Sequence, residues 1–383
     1  MADRRATSRD KLEWVQALRG IAALMVVLTH ARLFLYGTAW DAFARRFMLP
    51  AAQGVDLFFL VSGFIMVYTT VRSDGSARYT TDFLIKRFAR IWPVYAVWVL
   101  INWALQMLWA SGPIPSPGDV ATSLAFLPIN TFFPPYLGLP LSIGWTLNFE
   151  FYFYLVFGLS LLAGRYRWLA FFGWMLATLV LLPLAVTGTV SMHAEHDYGI
   201  GIAYLDQNVN PIIWDFVAGV VIGLLYVSRI RVANKTLLAI VAVSGFAFAC
   251  ERSFNAAAIA TFHGMAGWGL PLAILFAAMA LAFKDHEPRV PRALAWLGGI
   301  SYSLYLAHLI IFETVDRMLE ALDCKDFTHT VAFVVLVVPI PMIYAAISRR
   351  FLEDGLAVFV RKQLLRLTKP RGAAVATTLP ADG

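Results

Sequence analysis

Between Leu18 and Phe34 the chain reads LRGIAALMVVLTHARLF, an apolar run that carries Arg19 near one end and His30 near the other. Runs of the same kind recur almost to the C-terminus. Read for length and apolarity, they predict ten helical spans, approximately 16–36, 54–71, 88–110, 146–163, 168–187, 211–228, 236–250, 267–283, 296–318 and 328–348. The segments between them are short and polar, or rich in Pro, Gly and aromatic residues. The predicted fold is therefore an all-α polytopic integral membrane protein, with one membrane domain over residues 1–360. A cytoplasmic tail, 361–383, begins basic and ends in GAAVATTLPADG, a stretch without pattern that reads as disordered. The first run follows a basic N-terminus, as a signal peptide would. THARLFLYG offers no small-x-small cleavage site, so the run reads as a retained first span.

Charge gives the spans a direction. With the N-terminus in the cytoplasm, 25 of the 31 Lys and Arg fall in inside segments, and only Arg32, Arg45, Arg46, Arg252, Arg317 and Lys325 fall outside. This bias predicts both termini on the cytoplasmic side. It also accounts for the net charge of +7 and the pI near 9.4 without a nucleic-acid partner, although the basic tail is suited to anionic lipid. Composition agrees with the class. The chain is 60% hydrophobic, with 14% charged residues and a mean hydropathy of +0.68, where soluble domains hold about 25% charged residues. No zinc-finger spacing, P-loop, GxSxG or HExxH is present. The outer stretch HAEHDYG (193–199) matches no standard metal site and reads as a solvated loop, so no metal is expected. Cys250 and Cys324 are the only cysteines; both fall outside and form a candidate disulfide pair.

Ionisable residues inside spans are expensive in hydrocarbon and mark candidate sites. Eleven residues of helix return to within about 20° of the same face and rise about 16 Å. Arg19 and His30 thus share a face, the cation at the inner mouth and the imidazole in the outer half. Alone, either has a plain reading, a snorkelling Arg or a satisfied core His. Asp56 opens the second span in GVDLFFLVSGF, where it also suits a helix N-terminus. Glu150 lies a turn inside the fourth span in WTLNFEFYFYL. His30, Asp56 and Glu150 map to a similar depth, a histidine with carboxylates able to orient it as a general base. Arg87 and Arg90, three apart in FLIKRFARIWPVY, could form a cationic mouth with Arg19 that receives phosphate, or could simply obey the charge bias. His308, Tyr302 and Trp145 are candidate cavity walls, with core histidine and interfacial aromatic as the plain alternatives.

With these residues comes a resemblance. LRGIAALMVVLTH with its R-x10-H spacing, GVDLFFLVSGFIM, FLIKRFARIWPVY, WTLNFEFYFY and GGISYSLYLAHLIIF, in that order over most of the chain, resemble the acyltransferase-3 family of membrane O-acyltransferases. Within it, GVDLFFLVSGFIMVY looks most like the bacterial exopolysaccharide-modifying enzymes. The resemblance implies transfer of an acyl group, usually acetyl from acetyl-CoA, to a hydroxyl of a glycan, a lipid-linked saccharide or a small metabolite such as a macrolide, in the bacterial inner membrane. It implies Arg19 and His30 as essential, with roles for Arg87, Arg90 and Glu150. The esterase-like outer domain often fused in the family has no counterpart here, which implies that transfer is completed within the membrane domain or handed to a partner. The expected course places CoA phosphates at Arg19, Arg87 and Arg90 and the thioester near His30, whose tautomer Asp56 or Glu150 sets. The outer segments 111–145 and 188–209, free of Lys and Arg, are expected to form the acceptor vestibule. Buried carboxylates, His and Arg also suit a secondary transporter, although no paired repeat is visible. A non-catalytic assembly protein is the third reading; it would have no need of an Arg and a His on one face.

Overall fold

The computed structural model describes residues 12–109, 113–130, 134–255 and 263–368, which form helices and loops with no β-strand among them. The basic residues Arg4, Arg5, Arg9 and Lys11 and the tail beyond residue 368 lie outside the described residues. Each of the ten expected segments falls on a helix. These are α1 Glu13–Ala31, α2 Gly54–Thr70 and α3 Ala77–Trp109, followed after the short α4 Pro117–Leu124 by α5 Trp145–Leu161. Then come α6 Gly164–Thr187, α7 Ile213–Val227, α8 Lys235–Phe254, α9 Met265–Ala282, α10 Arg292–Ala321 and α11 Val331–Leu367. Among the described residues eight helical runs are long and apolar enough to cross a membrane. A ninth joins them if Ala203–Val209 and α7, bent by 41° at a short break, count as one. The expected fourth span, α5, has 17 residues; at 1.5 Å per residue it reaches about 25 Å, short of a ~30 Å hydrocarbon layer.

Two boundaries differ from the sequence pattern for local reasons. The third span begins at Ala77, three turns earlier than the apolar run, because Ser76 Oγ accepts the Tyr79 N–H at 3.1 Å and starts the helix within polar sequence. Arg87 and Arg90 therefore lie well inside α3 rather than at its start. The segment after α3 does not simply stand outside. A capping box between Ser116 and Asp119 opens α4. The chain then folds back against α3: Trp92 Nε1 donates to the Leu124 carbonyl at 2.9 Å, Tyr95 pairs with Ser123 at 2.7 Å, and Asn102 donates to the Pro140 carbonyl at 2.9 Å. Carbonyls of this irregular segment thus find side-chain partners on α3.

α2, α5 and α10 form the buried centre, and α6 and α8 are peripheral. α8 turns Ile240, Val243 and Phe246 outward, as suits lipid. Between α2, α5 and α7 the rings of Phe59, Phe216 and Phe153 stack at 4.4 Å spacing. Lipid tails are as apolar as the helices, so close packing rather than hydrophobic exclusion holds such a bundle together. Glycines make it possible. A Cβ on Gly298 of α10 would stand 1.9 Å from the Gln16 carbonyl oxygen of α1, and one on Gly20 would stand 2.5 Å from the Gly298 nitrogen. α2 meets α7 in the same way: a Cβ on Gly219 would stand 2.1 Å from the Leu60 carbonyl oxygen. The candidate disulfide is not formed. Cys250 on α8 and Cys324 beyond α10 are both free thiols.

The α1–α10 contact gives a test. Gly298→Ala forces a methyl into the Gln16 carbonyl and should destabilise the protein by about 1–3 kcal/mol. Gly173→Ala, on α6 with nothing within 4 Å of the new methyl, should be neutral or mildly stabilising. Thermal unfolding of the two variants in detergent checks the contrast; equal midpoints would contradict it.

Candidate active site

Five helices enclose a cavity of about 690 Å³ including its open mouth. α1 gives Arg19; α2 gives the row from Val55 to Met66; α3 gives Arg87 and Arg90; α5 gives Thr146, Glu150 and Tyr154; α10 gives Tyr302 and Tyr305. The row on α2 spans eleven residues, so the cavity is about 16 Å long. It is graded along that length. Arg19, Arg87, Arg90 and Tyr154 surround one end, while Val55, Phe58, Phe59 and Thr146 line the other.

At the cationic end Arg87 is held in place. Its guanidinium donates to Thr69 Oγ1 at 2.9 Å and lies over the rings of Phe83, at 5.3 Å, and Tyr154, at 5.6 Å. Arg19 and Arg90 make no hydrogen bond or ion pair among the described residues. Arg19 lies within electrostatic reach of both Arg90 and Glu150. Glu150 is engaged otherwise: it accepts from Ser62 Oγ at 3.2 Å and from the Tyr154 hydroxyl. Three cations thus face Glu150, with Glu353, which accepts from the Ser303 N–H and hydroxyl, also within electrostatic reach of Arg19. Two of the cations have unused donors, an arrangement that receives an anion with several oxygens.

At the other end of α1 stands His30, and its neighbour is a second histidine. His308 Nδ1 lies 2.6 Å from the Tyr305 carbonyl oxygen and 3.2 Å from that of Leu304. A carbonyl only accepts, so this nitrogen carries the proton and His308 Nε2 is bare. His30 Nδ1 lies 2.8 Å from the Val26 carbonyl oxygen and 3.1 Å from His308 Nε2. It must donate to both, which leaves the lone pair of His30 on Nε2. Neither histidine lines the cavity; between them and it stands Tyr305, a wall residue whose ring centre is 6.0 Å from that of His308. The Tyr305 hydroxyl is fixed by Thr146 and the Ile143 carbonyl, at 2.8 and 3.0 Å.

The expected grouping of His30 with two carboxylates is not what forms. Glu150 sits among the arginines. Asp56 is fully buried and accepts from His263 Nδ1 at 2.9 Å and from the Gly264 N–H at 2.7 Å. It straps the turn before α9 onto α2. Burial alone would lower the His263 pKa, but the charge and hydrogen bond of Asp56 outweigh it and the net shift is upward. Asp215 of α7, also fully buried, lies within reach of the Asp56 charge. Trp145 leans on the same cluster, 5.9 Å from His263, and is not a wall of the cavity. Tyr302 is a wall, its hydroxyl donating to the Ile91 carbonyl at 2.7 Å. His308 is not a wall; its Nε2 lies against His30. In HAEHDYG, Glu195 accepts the His263 backbone N–H at 3.3 Å and His196 packs on Tyr198. Sequence reasoning passed over His263 and Asp215. Asp215 was open to the rule used for Asp56, an acid inside an apolar run; His263 gave no signal, since it lies in a loop.

Comparison with known proteins follows the geometry. The family model described as Acyltransferase domain, acyltransferase-3, matches residues 12–346. The chain is 32% identical over 276 residues to the exopolysaccharide production protein ExoZ of Rhizobium meliloti, covering 70% of this chain and 78% of that protein. It is 27% identical over 327 residues to Nodulation protein 10 of Rhizobium leguminosarum bv. viciae, covering 78% and 82%. No solved structure matches. The chain belongs to the acyltransferase-3 family and is a multi-pass membrane protein.

The strap makes Asp56 separable from catalysis. Asp56→Ala removes the acceptor of two buried donors and should cost about 3–5 kcal/mol of stability. The expected result is a lowered unfolding midpoint in detergent. An Asp56→Ala protein that melts like wild type but transfers no acyl group would return Asp56 to the reaction.

Proposed function

We propose that this protein moves an acyl group, acetyl by preference, from an acyl-CoA on the cytoplasmic side of the bacterial inner membrane to a hydroxyl of an exopolysaccharide or its lipid-linked precursor. One observation carries the reading: a single cavity runs from arginines with unused donors to the wall that adjoins the His30–His308 pair. A thioester with a phosphate-bearing head and a long, thin, mostly uncharged arm matches that grading. The phosphates lie against Arg19, Arg87 and Arg90. The arm passes Ser62 and the apolar wall, and the thioester carbonyl reaches the histidine end. Eleven residues of α1, about 16 Å, separate anchor from base.

His30 Nε2 is the atom available to take a proton. It removes the proton of the acceptor hydroxyl, whose oxygen attacks the thioester carbonyl carbon; the carbon–sulfur bond breaks and the thiolate leaves. Kinship with a protein named for exopolysaccharide production favours a glycan over a small metabolite as acceptor.

The expected outcomes are specific. His30→Ala, reconstituted in proteoliposomes with labelled acetyl-CoA, should lose transfer by about a hundredfold or more, while remaining membrane-inserted. Arg19→Gln and Arg90→Gln should raise the KM for acetyl-CoA by about tenfold or more, but barely change that for an acetyl-pantetheine lacking the nucleotide. In cells, mass spectrometry of the surface glycan with and without the gene should show loss of one acyl group per repeat. An unchanged glycan, together with solute uptake that needs no CoA, would turn the reading toward transport.

A further inference from the structure

We infer that His308 is a positioning residue that does for His30 what a carboxylate does in a Ser-His-Asp arrangement, with a neutral ring in place of a charge. The inference deepens the proposed reaction and rests on His30 acting as its base. Four distances carry it. His308 Nδ1 is committed to two carbonyls of its own helix, at 2.6 and 3.2 Å, so its Nε2 faces His30 as an acceptor. His30 Nδ1 is committed to the Val26 carbonyl at 2.8 Å and to His308 Nε2 at 3.1 Å. His308 is fully buried, and its ring centre is 4.9 Å from that of His30. No carboxylate among the described residues bonds either ring. Arg32, whose charge reaches His30, donates back to the Thr29 carbonyl at 3.0 Å.

The Val26 carbonyl alone suffices to place the proton of neutral His30 on Nδ1. His308 matters in the charged state. In the transfer step the acceptor O–H proton passes to His30 Nε2 while its oxygen bonds to the thioester carbonyl carbon. The carbon–sulfur bond breaks, and the departing thiolate recovers the proton from Nε2–H. Between these events His30 is an imidazolium, and its Nδ1–H bond to His308 becomes charge-assisted, about twice as strong as a neutral one. The stabilisation therefore appears as charge develops, which is where it accelerates the reaction. A carboxylate in the same place would be a buried charge in the resting protein, among Leu304 and Phe312. Two neutral rings avoid that desolvation until the proton arrives.

The test uses the full chain in lipid nanodiscs, labelled with ¹⁵N-histidine; seven histidines give a tractable spectrum. The wild type should show His30 protonated at Nδ1, His308 bare at Nε2, and a nitrogen–nitrogen coupling across the bond between them. This reading needs neither donor nor acceptor substrate. For function, His308→Phe keeps a ring and removes the acceptor, whereas His308→Gln keeps an acceptor near the position of Nε2. His308→Phe should lower kcat by about tenfold or more with the KM for acetyl-CoA within about twofold, and His308→Gln should recover most of the loss. A proton on His30 Nε2, an absent coupling, a His308→Phe enzyme with wild-type kcat, or equal losses in both variants would each overturn the inference. If the wild type transfers nothing from acetyl-CoA, the functional reading fails, and the coupling still decides whether the pair exists.

Discussion

The contact on which the site depends is the backbone meeting of α1 and α10 at Gly20 and Gly298, where neither helix has room for a single added methyl. Ten residues further along each helix come His30 and His308. The two helices run parallel and keep one register from the glycine contact to the histidine contact. A side chain at the crossing would push the axes apart by an ångström or more, and a 3.1 Å nitrogen–nitrogen contact does not survive that. In lipid, where apolar burial gives helices little reason to prefer one neighbour, close backbone packing is also what makes this pairing specific. The precision of the polar site is thus borrowed from an apolar, featureless part of the interface.

The cavity makes a complementary use of charge. Arg87 has its polar partner in Thr69 and rests on two rings, whereas Arg19 and Arg90 are left with donors unspent. Holding such groups together in a partly buried site is unfavourable on its own, and Glu150 and Glu353 offset part of the repulsion. The same arrangement is favourable once several anionic oxygens enter, because a low local dielectric strengthens each contact. Val55, Phe58 and Phe59 make the opposite end apolar.

Much of this was legible in the sequence, and the parts that were not have physical reasons. Apolar runs placed every long helix, because the bilayer imposes a length that a chain cannot hide. Helical arithmetic placed Arg19 and His30 on one face, and the three arginines do meet at one cavity. What failed was depth judged from span boundaries. Glu150 and Asp56 were set beside His30 because each lies near the start of a span; side-chain direction sends Glu150 toward Ser62 and Tyr154, and Asp56 toward a loop 207 residues away. Counting residues gives height along a helix but not which neighbour is faced across it. His308 was visible as a polar residue in an apolar run. Its partnership with His30 was not, because nothing in one chain without relatives fixes how α1 and α10 are rotated against each other.

That partnership also orders events during synthesis. The two rings are separated by 278 positions in the chain, and most of the protein must be made between them. A chain made from its N-terminus places Arg19 and His30 in the bilayer first, where they wait as lone polar groups on an exposed helix face. Only when α10 enters, near the end of translation, does His30 acquire its partner and α1 the close neighbour it is shaped for. The histidine pair is therefore a property of the nearly finished polypeptide. A growing or prematurely ended chain carries the arginines of α1 and α3 without the paired histidines, which meet only when α10 has joined the bundle.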